Sequence, residues 1–266
     1  APARPYFVLE LVEGPTIARY VESNRLSLDQ TLRVFQQVCG AVQHAHARGL
    51  IHRDIKAANV LVSDSDGDPV CKVIDFGIAK AMQGDADETA PVTIRGVPIG
   101  TPQYMSPEQA GGDPSALDTR SDVYALGVVA YQLLAGRLPY DLKEKMIHEA
   151  VRVIREDDPT PLSSIDRVFR GDIEIIIGKA LQKERDRRYQ SASDLASDIH
   201  RYLKNEPIVA RAPSTWYQLS RFSRRNRALV GGVLAVLVVS VVGTAVSISF
   251  ALGEAEQTQL AIDNFN

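Results

Sequence analysis

The sequence predicts an α+β fold, mainly α, followed by a single transmembrane helix, and three observations predict it. Apolar residues recur at helical spacing in several segments, most clearly in SLDQTLRVFQQVCGAVQHAHARG, residues 27–49. Two brief strand patterns, NVLVS and CKVIDF, flank the turn-rich DSDGDP. The 25 residues from Ala228 to Leu252 carry no charge at all.

Taken in chain order, PYFVLELV (Pro5 to Val12) is a short run of strand formers that Gly14-Pro15 stops. In the first helix Ser27 is a candidate N-cap with Gln30 three residues on; Leu32, Phe35, Val38, Val42 and Ala45 form its apolar stripe, and Gly49 ends it. The two strands follow, and a loop of mixed polar residues and glycines runs from about Gly77 to Gln103. After it, RSDVYALGVVAYQLLAG is apolar on nearly every face, which predicts a helix buried at the centre of a domain. Further helices are expected at Lys143 to Glu156, Asp172 to Gln182 and Ser193 to Lys204. No period of 20 to 50 residues recurs, which argues against a repeat architecture.

The uncharged run at 228–252 reaches roughly 37 Å at about 1.5 Å per residue, enough to cross a hydrocarbon core with some tilt. Arg221, Arg224, Arg225 and Arg227 crowd its N-terminal flank, whereas Glu254, Glu256 and Asp263 follow it without any Lys or Arg. The positive-inside rule then places the segment before Ala228 in the cytoplasm and the C-terminus outside a cell membrane crossed once. The position of the run excludes a signal peptide. The basic cluster is explained by topology and equally by contact with anionic membrane lipid.

Composition narrows the function classes. With 266 residues and 45% hydrophobic content the chain can bury a sizeable core, which excludes disorder throughout. A formal net charge of -3 gives no global attraction to nucleic acid, and no nucleic-acid partner is expected. Cys39 and Cys71 lie far apart in unlike contexts and read as buried free thiols rather than a disulfide.

Chemistry concentrates in IHRDIKAANVLV, residues 51–62. Asp54 and Asn59 stand five residues apart between a helix end and a strand, and Asp75 falls just after the second strand of the same hairpin. Three oxygen-bearing side chains can thus converge at one edge. Carboxylate and amide oxygens suit Mg2+, which needs only one or two protein ligands when phosphate oxygens share it. Asp54 would remain free to accept a proton from a hydroxyl, with Lys56 near enough to neutralise charge on a moving phosphoryl group.

HRDIKAANVL followed by IDFG resembles the catalytic and metal-binding loops of protein kinases. GTPQYMSPE resembles the end of a kinase activation segment, RSDVYALG the buried central helix of the large lobe, and KERDRRY the stretch whose Arg meets the Glu of the activation segment. The wording is similar to bacterial membrane-anchored serine/threonine kinases over about Pro5 to Leu203. The resemblance implies ATP and Mg2+ as cofactors, with Asp54 orienting and deprotonating a Ser/Thr hydroxyl, Lys56 on the transferred phosphate, and Asn59 and Asp75 on the metal. It also implies a hinge at Glu10, Leu11 and Val12 for adenine, with Leu9 at its gatekeeper position and Leu61 beneath the ring. Arg53 would receive an activation-loop phosphate, for which Thr89 and Thr93 are candidates. Thr101 would touch Asp54 and Lys56, Asp122 would anchor the catalytic-loop backbone, and Glu108 would pair with Arg188. Protein substrates bearing Ser or Thr, self-association and autophosphorylation follow as expected partners and behaviour.

The resemblance divides the chain into hinge and last small-lobe strand at 1–13, large lobe at 14–204, basic juxtamembrane linker at 205–227, transmembrane helix at 228–252 and the start of an extracytoplasmic region at 253–266. It departs from the family where Ala57 replaces a frequent Pro and where Ser106 precedes Pro107-Glu108 in place of Ala. No glycine-rich loop and no strand Lys precede PYFVLELV, so the sequence is expected to be an N-terminally truncated kinase whose isolated chain is inactive. A catalytically inactive, kinase-like scaffold is the alternative. Other motifs have plainer readings. His44 and His46 diverge at a spacing of two on a helix, His52 is expected to pack on Phe76, DSDGDP is a hairpin turn rather than a calcium loop, and RGD at 170–172 begins a helix.

Overall fold

The computed structural model describes residues 10–65, 68–76, 102–112 and 114–212, with isolated residues and short pieces between 218 and 244. The expected strand at Pro5 to Val12 falls outside the described residues up to position 9, and residues 10–13 carry no regular structure. Most of the loop from Gly77 to Gln103 also falls outside, including Thr89, Thr93 and Thr101; its end, Pro102–Tyr104, is a short 3-10 turn. The chain divides into two compact units, residues 1–204 with 208–212 and residues 205–207 with 213–266.

The described part of the first unit is mainly helical with a two-stranded sheet. Gly14 has φ 150°, and a Cβ there would lie 2.1 Å from the Val62 carbonyl oxygen. Only glycine permits that approach. It brings the Pro15 carbonyl to the Val62 N–H at 2.9 Å. Thr16 then caps helix α1, Ile17–Ser23, its hydroxyl accepting the Arg19 N–H. Helix α2, Leu28–His46, opens on a capping box in which Ser27 and Gln30 satisfy each other's backbone N–H groups. Its stripe of Leu32, Phe35, Val38 and Val42 is buried. The helix stops three residues before Gly49, because the chain tightens through i→i+3 bonds from Arg48 and Gly49 and then turns at Gly49, φ 76°.

Strands β1, Val60–Ser65, and β2, Asp68–Val73, pair antiparallel from Val60 opposite Val73 to Ser65 opposite Asp68. The strand expected to continue through Ile74, Asp75 and Phe76 ends at Val73, since Asp75 adopts φ 59° and leaves the extended region. Helix α2 packs on β2. Cys39 and Cys71 are free and buried, and burial pushes the Cys71 thiol up to about 12 and that of Cys39 upward as well.

Short helix α3, Pro107–Gly111, begins on a second capping box, Ser106 with Gln109. Helix α4, Thr119–Ala135, is buried through Val123, Tyr124, Leu126, Val128 and Val129, as its all-round apolarity requires. Gly127 admits its neighbour closely: a Cβ there would meet the Ala180 Cβ at 2.9 Å. That neighbour is helix α6, Asp172–Ala180, which follows helix α5, Ile147–Glu156. Helix α7, Ala192–Leu203, lies against α2 and α6. The helix expected from Lys143 starts instead at Ile147, because Glu144 takes φ 63° and Met146 is extended. The α6 helix ends two residues before the expected Gln182, and α7 runs one residue ahead of its expected span at both ends. Lys183 donates to the Tyr140 hydroxyl at 2.7 Å and the Ile154 carbonyl at 2.6 Å, and burial lowers its ammonium to about 8. Buried Asp198 accepts from the Tyr189 hydroxyl and from the Val209 and Ala210 N–H groups, which ties residues 208–212 into this unit.

In the second unit, the run at 228–252 is described only at 231–232, 236–240 and 242–244, where the backbone is helical. Val236, Leu237, Val238, Val239 and Val242 are exposed there. Among the described residues no helix is long and apolar enough to cross a membrane.

Candidate active site

The polar residues of IHRDIKAAN emerge between α2 and β1, and buried Asp122 of α4 holds them from beneath. Its Oδ2 accepts the His52 N–H at 2.8 Å and its Oδ1 the Arg53 N–H at 2.9 Å. His46, at the last turn of α2, places Nε2 2.7 Å from the same Oδ2. Asp122 is 1% exposed, so these bonds act in a site water does not screen. His52 is fully buried, stacks tilted on Phe76 at 4.6 Å, and pairs its Nε2 with the Ile74 carbonyl at 3.1 Å. Its Nδ1 accepts the Asp54 N–H at 3.3 Å. That combination requires the proton on Nε2.

Asp54 is thereby presented at the surface of the loop, 28% exposed. Its Oδ2 receives Lys56 Nζ at 2.9 Å and, more weakly, Asn59 Nδ2 at 3.4 Å. Asn59 Nδ2 also donates to the Asp54 carbonyl at 3.0 Å. With the amide nitrogen spent on Asp54, Asn59 Oδ1 is left to accept from, or bind, something else. The Asn59 carbonyl takes the Ile74 N–H at 2.9 Å, which sets Asp75 one residue from the partner of Asn59. Arg53 and Asp75 both sit in the left-handed region, φ 63° and 59°. Such strain in residues other than glycine costs about 1–3 kcal/mol each and collects at functional sites.

An amide oxygen and a carboxylate are the hard donors that Mg2+ takes, so Asn59 and Asp75 fit that ion. Among the described residues no three His, Cys, Asp or Glu side chains cluster as metal ligands, but a cation shared with phosphate needs fewer.

The residues after position 101 form the facing wall. Tyr104, Met105 and Gln109 line a shallow cleft with Arg53 and Asp54. Tyr104 donates to Gln132 Oε1 at 2.6 Å, and burial raises its phenol against the opposing pull of that hydrogen bond. Glu108 meets Arg188 in a bidentate pair, both contacts 2.7 Å, and accepts the Ser121 hydroxyl at 2.8 Å. Burial disfavours the Glu108 carboxylate, yet the Arg188 guanidinium and Ser121 outweigh it and hold the group below the usual carboxylate range.

The sheet side carries the remaining expected residues. Leu61 stands on β1 opposite Lys72, and Lys72 Nζ reaches Glu10 Oε1 at 2.5 Å, so Glu10 and Leu61 are brought to the same edge. Leu11 is 81% exposed and Val12 half-buried. Leu9, Thr89, Thr93 and Thr101 lie outside the described residues. The sequence reading missed two members of the cluster. His46 gave no signal beyond its helix, whereas Gln109 was legible as the fourth residue of an S-x-x-Q cap.

Residues 1–202 match the family model Protein kinase domain. The chain belongs to the protein kinase family. Bacterial serine/threonine kinases are among its relatives. It is 41% identical over 194 residues to the serine/threonine-protein kinase Pkn1 of Myxococcus xanthus, covering 71% of this chain and 26% of that protein. It is 38% identical over 207 residues to the serine/threonine-protein kinase PknB of Mycobacterium leprae, covering 77% and 32%. The kinase chain thus spans about a quarter to a third of the length of these curated relatives. Among solved structures it is similar to the kinase domain of Mycobacterium tuberculosis PknI, with a TM-score of 0.52 and 25% identity over 73% of this chain and 64% of that one.

Proposed function

We propose that this kinase-family chain transfers a phosphoryl group from Mg-ATP to Ser or Thr hydroxyls of proteins. The observation that carries the reading is the Asp54 carboxylate, partly exposed at the cleft, flanked by Lys56 and Asn59 and built on a backbone that Asp122 pins. In this reading Asp54 orients the substrate hydroxyl and accepts its proton as the oxygen attacks phosphorus. Lys56 neutralises charge on the transferred group; the hydroxyl oxygen bonds to the γ-phosphorus as the bond to the bridging oxygen breaks, ADP leaves, and the hydroxyl proton rests on Asp54. Asn59 and Asp75 would hold Mg2+, which when bound neutralises phosphate charge. Glu10, Val12 and Leu61 would border the nucleotide base, and Arg53 would face an activation-loop phosphate on Thr89 or Thr93, with Thr101 near Asp54. Among the described residues nothing favours the non-catalytic scaffold.

The test uses the protein at its full natural length with radiolabelled Mg-ATP and a Ser/Thr peptide. Transfer is expected, and Asp75→Ala should abolish it while leaving thermal unfolding close to the parent. Undiminished transfer in that variant would sink the metal assignment.

The second half of the proposal is a single-pass membrane anchor at 228–252, with the kinase region cytoplasmic and the C-terminus outside. The uncharged run, its arginine-rich flank and the exposed Val236 to Val239 support it. Those arginines would meet anionic lipid, and two anchored chains held in one plane would have the chance to phosphorylate each other. The protein is expected to stay in the membrane pellet after alkaline carbonate washing. Release into the supernatant would remove the anchor.

A further inference from the structure

Gln109 joins two parts of the candidate site that are otherwise separate in sequence. Its Oε1 accepts the Ser106 N–H at 2.9 Å and completes the cap of α3, while its Nε2 donates to the Arg53 carbonyl at 2.9 Å. One side-chain amide therefore spends its acceptor on the segment after residue 101 and its donor on the residue before Asp54.

The bonded residue is a sensitive one. Arg53 lies at φ 63°, a conformation an L side chain holds only when its surroundings over-determine it. Asp122 fixes the N–H of Arg53 and Gln109 its carbonyl. That carbonyl shares a rigid peptide plane with the Asp54 N–H, so the bond from Gln109 sets the plane from which the Asp54 side chain departs. The other edge of the plane is held less firmly, the Asp54 N–H reaching His52 Nδ1 at 3.3 Å.

We propose that Gln109 is a positioning residue for phosphoryl transfer: its amide clamps the Arg53–Asp54 peptide and couples the folding of the segment at 102–111 to the aim of the Asp54 carboxylate. The proposal rests on the kinase reading above. Gln109→Glu retains an acceptor for the Ser106 N–H but sets a carboxylate oxygen against the Arg53 carbonyl oxygen, so the clamp is lost and the cap kept. Ser106→Ala does the reverse, deleting the hydroxyl that accepts the Gln109 N–H at 3.3 Å.

The experiment compares these two variants with the parent, each at full natural length with Mg-ATP and a Ser/Thr peptide. Gln109→Glu is expected to lower kcat at least about 5-fold, the worth of one ordinary hydrogen bond in the transition state, with KM for ATP within about twofold. Ser106→Ala is expected to lower Tm by about 3 °C and leave kcat within about twofold. Hydrogen exchange supplies a readout free of activity: amides of residues 52–56 should exchange faster in Gln109→Glu than in Ser106→Ala. Unchanged kcat in Gln109→Glu, equal kcat losses in the two variants, or unchanged exchange at 52–56 would each overturn the clamp. An inactive parent would overturn the kinase reading instead, and the exchange comparison would then still decide the clamp.

Discussion

Asp54→Asn is expected to reduce phosphoryl transfer by about 10²- to 10⁴-fold, the range that a positioned general base contributes. Asparagine is close to the same size, and its Oδ1 can still accept from Lys56 Nζ and Asn59 Nδ2, which now lie 2.9 and 3.4 Å from Asp54 Oδ2. What it cannot do is take the proton of the attacking hydroxyl. The effect should therefore appear in kcat, with little change in KM for ATP, because the proposed metal ligands Asn59 and Asp75 remain. Stability should hardly move: the Lys56–Asp54 pair is partly exposed, and such pairs contribute about 0–1 kcal/mol. A substitution at Lys56 would behave differently, since it removes charge stabilisation without removing the base. Steady-state rates on a Ser/Thr peptide, taken with thermal melts, check the prediction. Activity within about threefold of the parent would take Asp54 out of the role of base.

What the sequence made legible follows from how local each signal is. The capping box of α2 needs only Ser27 and Gln30, and the burial of α4 only its own apolarity, so both were open to reading. Boundaries drifted where one residue took an unusual backbone angle. Glu144 at φ 63° shortened α5 from its expected start, and Asp75 at φ 59° cut β2 short. No propensity forecasts a left-handed Glu. Helix α1 was passed over: no element was assigned between Gly14-Pro15 and Ser27, where its seven residues lie. Within the candidate site, Asp54, Lys56 and Asn59 lie within six positions and announce themselves together. Asp122 and Arg188, far along the chain, came from family resemblance alone. His46 stayed hidden, for its partner Asp122 is 76 residues away and neither neighbourhood hints at the other. Gln109 shows the mixed case: its cap is local and readable, and its bond to Arg53, 56 residues away, is not.

Arg188→Met is expected to destabilise the first unit by about 3–5 kcal/mol at neutral pH, the cost of breaking a buried ion pair by removing one partner. Arg188 is 2% exposed and all five of its N–H groups are used: two on Glu108, and one each on the carbonyls of Gln182, Lys183 and Arg120. Its guanidinium also lies 5.1 Å from the centroid of the Tyr124 ring. Methionine fills much of the volume but satisfies none of those acceptors, and it strands Glu108, whose side chain is 7% exposed. In the parent, Glu108 ionises more readily folded than unfolded, so its contribution is present above the ordinary carboxylate range and fades as pH falls through the lowered folded value. Without Arg188 burial is opposed only by the Ser121 hydroxyl and a backbone hydrogen bond, so the folded carboxyl is expected to rise, and the deficit should shrink as pH falls toward and below that range. Denaturant unfolding of parent and Arg188→Met at neutral and mildly acidic pH tests both parts. Replacing Glu108 by Gln in the same variant should recover part of the loss at neutral pH, since the stranded charge has gone. A deficit below about 1 kcal/mol, or one that grows on acidification, would mean that the Glu108–Arg188 pair does not hold the segment at 102–111 against α4.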